Sequence, residues 1–259
     1  MISGTREWAV AEINCSVGCP HACRYCYARV AALKKGLIDS ASDWPRTRTL
    51  DSEVEASRPL YGGQVMFPTA HDIVEDNLEE VVQVISRLLE AGNKILIVSK
   101  PSSFCIEQIC DRFSRQRSQI LFRFTITSRN SDILRFWEPG APAYQERLKS
   151  LRLAFKRGFQ TSVSIEPMLD LEDVQGMINE IESYVSHSIW IGKLNRIDER
   201  VQIVSSGVAA EVERIRREQK DQNIIDLYEA LHKRPLVRWK ESIKLVVGLP
   251  LATESGLDI

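Results

Sequence analysis

Three of the six cysteines in this chain, Cys19, Cys23 and Cys26, fall within the stretch GCPHACRYCY with the spacing C-x3-C-x2-C. A structural zinc site wants four protein ligands arranged as a tetrahedron, usually in two well-separated pairs. Three closely spaced thiolates leave one metal position open. That is the donor set of a 4Fe-4S cluster whose fourth iron binds a small molecule in place of a protein ligand. A zinc knuckle that borrows Cys15 or His21 as a fourth ligand is the alternative on spacing alone. Cys15 reads as a thiol at a strand end, and Cys105 and Cys110, five apart on an expected helix, read as small buried apolar residues. No cysteine lies beyond Cys110, which argues against an auxiliary cluster.

Other residues that could do chemistry stand where strands are expected to end. His71-Asp72 is the leading polar candidate for contact with a cofactor or substrate, with a helix N-cap as the other role for Asp72. Glu166, before Pro167, could read a substrate amine or a ribose. Gly192, in the WIGKLN stretch, would let the backbone approach a ligand closely, with Lys193 or Asn195 meeting the substrate. Glu138 is expected in a turn, bridging to a cation such as Arg129.

The elements that must carry these residues alternate between short β-branched runs and longer segments of helical period. This pattern implies parallel strands joined by helices. Strands are expected at Trp8–Ile13, Gln64–Phe67, Lys94–Val98, Ile120–Ile126, Thr161–Ile165 and Ser188–Ile191. Helices are expected from near Tyr27, Val74, Ser103, Tyr144 and Leu171, and from about Val208 to Leu231. Six strands predict an α/β fold, an open partial (β/α)6 barrel over residues 1–195, with residues 196–259 as a helical extension packed on it. Chemistry in such a barrel is expected at the C-terminal ends of the strands, and the cysteine loop directly follows the first strand.

The chain has 259 residues, 44% apolar and 27% charged, ordinary for a globular protein. No apolar run is long enough to cross a membrane, and the first residues lack the apolar core of a signal peptide. A cytoplasmic protein with free thiols and metal ligands, and not disulfides, is expected. The net charge of −1 lacks the basic excess of a dedicated nucleic-acid binder. Residues 214–244 hold nine Lys/Arg against five Asp/Glu, read as a solvated helical face, with a phosphate-facing patch as the alternative.

The C-x3-C-x2-C loop, with Tyr25 before its last cysteine, resembles the cluster loop of the radical S-adenosylmethionine (SAM) superfamily. The stretches DIVEDNLEEVVQVISRLLEAGNKILIVSK, FRFTITSR, FWEPGAP and SIEPML are similar to the spore photoproduct lyase branch, the enzymes that repair a thymine dimer in DNA. The likeness runs from about Cys15 to Leu169 and fades thereafter. It implies a 4Fe-4S cluster on Cys19, Cys23 and Cys26. The open iron would chelate SAM, and one electron, from a donor such as flavodoxin or ferredoxin, would release a 5′-deoxyadenosyl radical. Lys100 and Thr125 match the family's lysine and serine that hold the SAM carboxylate. Ser128 and Arg129 follow and could reach SAM or substrate. Tyr25 would lie against cluster and adenine, and Tyr27 matches a tyrosine that passes hydrogen atoms. With His71, Tyr27 is the expected catalytic residue, while Tyr25, Asp72, Lys100, Thr125, Ser128, Arg129, Glu166 and Gly192 are expected around the cofactor.

One departure is chemical. Where the spore enzyme has its hydrogen-donating cysteine, this chain has Thr69, whose O–H bond is far too strong for that role. The family's DNA-gripping hairpin has no counterpart in RPLVRWKESIKLVVGLP either. Either another group, such as Cys105, Cys110 or a tyrosine, supplies that hydrogen, or the reaction differs; a different reaction is expected, with a nucleic acid or nucleotide as the substrate class that the resemblance implies. A small-metabolite or peptide modification, or a cluster-bearing redox or sensing module, is the alternative.

Overall fold

The computed structural model describes residues 2–257. Seven parallel strands form one sheet in chain order: β1 (Ala11–Glu12), β2 (Gln64–Phe67), β3 (Lys94–Ser99), β4 (Ile120–Thr125), β5 (Gln160–Ile165), β6 (Ser188–Ile191) and β7 (Val237–Trp239). Helices α1 (Tyr27–Lys34), α2 (Leu78–Glu90), α3 (Ser103–Arg112), α4 (Ser131–Trp137), α5 (Tyr144–Lys156), α6 (Val174–Ile181), α7 (Ser206–Glu218), α8 (Asp221–Leu231) and α9 (Glu241–Val247) connect or follow them. Among the described residues the edge strands β1 and β7 do not pair with each other. No helix among the described residues is long and apolar enough to cross a membrane.

Side chains alternate across the sheet with the period of two that a strand imposes. Ile95, Ile97, Phe122, Phe124, Val163, Ile165, Ile189 and Ile191 join the main core with the helices, which include Val81, Val84, Ile85 and Leu88 of α2. Each such aliphatic side chain contributes about 1.5–3 kcal/mol when fully buried. The opposite face carries Met66, Leu96, Leu121 and Trp190, packed with Trp8. Arg123, fully buried on this inner face, lies 4.5 Å over the Trp8 ring and donates to Ser162 Oγ at 2.9 Å. Burial on both faces explains the near-continuous apolar runs of the central strands.

The structure adds to the expected elements in three places. The 196–259 stretch is not helical throughout: it supplies β7, which pairs with β6 through Ile189–Val237 and Ile191–Trp239. Residues 208–231 form two helices and not one, because Gln219 at the break is held by tertiary contacts, donating to Met168 O at 2.6 Å and accepting from Leu194 N at 2.9 Å. The first strand is only two residues long. The segment before it, a 3-10 turn at Gly4–Glu7 followed by Trp8, lies against the inner face.

Candidate functional site

A cavity of about 410 Å³ opens where the parallel strands end, at the face on which such folds place their chemistry. Its lining combines the cysteine loop after β1, Thr69 to Asp72 after β2, Lys100 after β3, Thr125 at the end of β4, Glu166 after β5, and Lys193 and Arg200 beyond β6. Residues of the segment before β1, including Gly4, Thr5 and Trp8, cross its other side.

The cysteine loop is fixed from two directions. On one side, Cys19 N–H donates to Trp44 O at 2.8 Å, and Gly18, at φ +98°, sits so close to Arg46 that a Cβ would meet its carbonyl oxygen at 2.2 Å. Only glycine serves there, for both backbone conformation and space. On the other side, Arg24 N–H donates to Trp137 O at 2.9 Å and Gly140 N–H to His21 O at 3.0 Å. A Cβ on Gly140 would meet Pro20 O at 2.3 Å. The Trp137–Gly140 turn therefore buttresses the loop.

Two buried ionic groups reinforce it. Asp72 accepts from His21 Nδ1 at 3.1 Å, from the Ser99 hydroxyl, and from the backbone N–H groups of Ile73 and Lys100. Burial opposes its charge, but His21, Lys100 and Ser99 outweigh that and hold its pKa well below the carboxylate range. Glu138, also buried, accepts from Tyr25 Oη, from Thr127 Oγ1 at 3.0 Å and from the Arg147 guanidinium, which also donates to Thr125 O at 3.2 Å. Burial again opposes the charge, and Arg147 and Lys100 prevail, so the Glu138 pKa is lowered. The partner of Glu138 is thus Arg147, not Arg129.

All six cysteines are free, and Cys19, Cys23 and Cys26 line the one cavity. Burial pushes the Cys19 thiol up to about 12 and that of Cys23 higher still. A metal that binds them as thiolates would therefore displace protons. Cys26 is the N-cap of α1, and its sulfur accepts from Arg29 N–H at 3.4 Å, so the positive end of the helix faces it. Lys100 lies opposite, with Nζ 5.7 Å from the Tyr25 ring centroid and no carboxylate in ion-pair range among the described residues. Burial disfavours its charge, yet Cys23, Glu138 and Asp72 raise its pKa. Three unpaired thiols and an unpaired ammonium in one cavity fit a cluster with an open iron and a carboxylate-bearing ligand beside it. Among the described residues no three metal-ligating side chains converge on a single-ion position.

The expected site residues divide between this cavity and places outside it. Tyr25, Tyr27, His71, Asp72, Lys100, Thr125 and Glu166 line the cavity with the cysteines. His71 is held at both ring nitrogens: Nε2 accepts from Cys15 N–H at 3.1 Å, so Nδ1 carries the proton and donates to Asp72 O at 3.1 Å. Burial lowers its pKa and keeps it neutral, which leaves a positioning role. Ser128, Arg129 and Gly192 lie elsewhere. Ser128 Oγ donates to Asp170 at 3.0 Å and accepts from Asn130 N–H. Arg129 is bound by Asp173 and by Glu180 at 3.0 Å in a separate open cleft. Gly192 packs on neighbouring side chains, where a Cβ would come within 3.0 Å of both Lys240 and Glu166.

Sequence reading missed Arg147 and Lys240. Lys240 is fully buried, donates to Gly4 O at 2.7 Å, pairs with Glu7 at 2.8 Å, and reaches Glu166 at 3.8 Å. It follows β7 directly, as Lys100 follows β3, so an unrecognised strand concealed the signal. Arg147 had none, since it is one basic residue among several on α5.

The model of the Radical SAM superfamily matches residues 13–182. Among characterised folds, a mutant of spore photoproduct lyase with bound AdoMet and dinucleoside spore photoproduct superposes with a TM-score of 0.56 at 15% identity, covering 88% of this chain and 75% of that chain. Spore photoproduct lyase complexed with the same dinucleoside gives 0.56 at 16% identity, with the same coverage. At these identities the likeness speaks to the fold. An uncharacterized protein, ORF301 of Acidianus two-tailed virus, is 25% identical over 185 residues, 67% of this chain and 60% of the viral protein. The chain thus matches less than two thirds of that relative's length.

Proposed function

The chain belongs to the radical SAM superfamily of enzymes, and on that premise we propose that it binds a 4Fe-4S cluster through Cys19, Cys23 and Cys26 and cleaves SAM reductively to act on a nucleotide or nucleic acid. When bound, cluster and SAM together supply a 5′-deoxyadenosyl radical, able to take hydrogen from an unactivated C–H bond. The residues of the chain bind, orient and exclude water. Lys100 offers an ammonium and Thr125 a hydroxyl to the SAM carboxylate. Tyr25, held by Glu138, forms a rigid wall. Asp72 and His21 keep the cysteine loop in register with the ends of β2 and β3.

The observation that carries this reading is the placement of three free cysteines and an ammonium without an ion-pair partner in one cavity at the strand ends. The six unpaired cysteines favour a reducing cytoplasm, where flavodoxin or ferredoxin would supply the electron. Thr69 Oγ1 accepts from Asn14 Nδ2 at 2.6 Å and gives the cavity no thiol at that position, which supports a reaction other than that of spore photoproduct lyase.

Anaerobic reconstitution with iron and sulfide, reduction and addition of SAM tests the proposal. The parent protein should yield 5′-deoxyadenosine, and Cys19→Ala, Cys23→Ala and Cys26→Ala should yield none. A parent that forms the cluster but neither binds nor cleaves SAM would be a redox or sensing module.

A further inference from the structure

Apart from Lys100, a second partly buried cation faces the cavity in a different setting. Arg200 ends the short helix Ile197–Arg200, which begins after Arg196, a non-glycine residue in the left-handed region at φ 52° and ψ 45°. Such a conformation persists only where the surroundings impose it. At the other end of this helix the Arg29 guanidinium donates to Arg200 O at 3.1 Å, Arg24 O at 2.8 Å and Cys23 O at 3.4 Å. The elbow that bears Arg200 is thereby clipped to the cysteine loop itself.

The Arg200 guanidinium makes no hydrogen bond or ion pair among the described residues, and it lies 5.8 Å from the Tyr27 ring centroid. Burial lowers its pKa against the opposing influence of Glu166, and Glu166 is itself engaged by Lys240. Lys193 lines the same cavity, and its one carboxylate partner among the described residues, Asp221 at 3.6 Å, is 76% exposed and so a weak one. Arg6, exposed and without an ion pair among the described residues, also lines it. All three cations lie outside residues 13–182, the span shared with the superfamily model.

A guanidinium that is partly buried and left without a carboxylate has lost hydration that a ligand can restore. The geometry points to a second anion site in this cavity, formed by Arg200 and Lys193, that receives a phosphate group of the substrate, separate from the SAM carboxylate at Lys100. A planar guanidinium fork and an ammonium lining the same cavity suit a phosphate dianion. The Tyr27 ring, 43% accessible beside Arg200, offers a face on which a base can rest. This inference rests on the radical SAM reading of the cysteine side and deepens its substrate class to a phosphate-bearing nucleotide unit.

The test is calorimetric titration of the reconstituted protein, at fixed salt, with the four deoxynucleoside monophosphates, each against its own nucleoside, and with glutarate as a carboxylate control. At least one monophosphate should bind about 10-fold more tightly than its nucleoside, in line with a charge-assisted contact. Arg200→Ala should erase that preference. Arg200→Lys, which keeps the charge without the fork, should retain part of it, and Lys193→Ala should weaken it about 3-fold. If Arg200→Ala does not fold, the last two variants carry the test. Equal binding of nucleotide and nucleoside by the parent, or an unchanged preference in the variants, would overturn the assignment. Glutarate binding as tightly as the monophosphate would overturn the choice of phosphate, and an equal loss of SAM affinity in Arg200→Ala would move Arg200 to the SAM site. Because these readouts need no SAM cleavage, phosphate selectivity without deoxyadenosine formation would refute the radical reading alone.

Discussion

The two walls of the cavity are built on different terms. On the cysteine side, Asp72 and Glu138 are each saturated by several donors, and glycines at 18 and 140 allow backbones to touch. Elsewhere around the cavity, Arg200 and Arg6 have no ion pair among the described residues, and Lys193 has only an exposed one. The first wall lies within the span matched by the superfamily model and the second outside it. A wall that holds a fixed cofactor can satisfy its supporting carboxylates in advance and leave open only the groups that bind the cofactor, here the three thiols and Lys100, whereas a wall that reads a substrate leaves its cations for the ligand. Preorganisation and incompleteness thus mark two separate tasks in one concavity.

The largest effect should come from breaking the rigid wall at its buried ion pair. Glu138→Ala leaves Arg147 charged and uncompensated, which costs about 3–5 kcal/mol, so a thermal melt should show a midpoint lower by about 10 °C. An unchanged midpoint would mean that this wall is no more tightly built than the other. Asp72→Asn keeps the volume but weakens the hold on His21 and on the β3 end. Iron retained after anaerobic reconstitution and chelator challenge should fall about 10- to 100-fold, the range found for groups that orient metal ligands. Lys100→Ala should then weaken SAM binding by about 10-fold or more in equilibrium dialysis, the loss expected for one charged hydrogen bond, with iron content intact.

The smallest effect concerns the segment before β1. Burial and the adjacent Glu241 push the Glu7 carboxyl from 4.5 up to about 8, against the pull of Lys240. The folded state therefore binds this proton more tightly than the unfolded chain does. Its stabilising contribution is complete below about 4.5 and declines as pH rises to about 8. Glu7→Gln should flatten the melting midpoint across that window, by a few degrees at its upper end. A parallel curve for parent and variant would remove Glu7 from the account. Asp72 has the opposite sign, since its lowered pKa gives stability that is lost only under strong acid.

Much of the fold was legible because strand and helix periods are local properties. The six expected strands all appear, with Gln64–Phe67 and Ser188–Ile191 matching to the residue. That the three cysteines, Lys100 and Thr125 would meet at the strand ends was legible too, since the cysteine loop follows β1, Lys100 follows β3 and Thr125 ends β4. Less was legible where a side chain answers to distant groups. Ser128 and Arg129 follow the strand that carries Thr125, yet they turn to Asp170, Asp173 and Glu180, in the segment and helix after β5 and outside the cavity lining. His71 faces the cavity but is held by the backbone at both nitrogens.

The sequence by itself determined the period of each element and the spacing of three thiols, because those depend on neighbours along the chain. Only the tertiary structure decided that Val237–Trp239 would complete the sheet, that Arg147 and not Arg129 would answer Glu138, and that Arg200 would stand beside Tyr27 without a carboxylate. Those pairings join residues from 9 to 173 positions apart, and the energy of a buried charge depends on which groups the fold brings within a few ångströms of it.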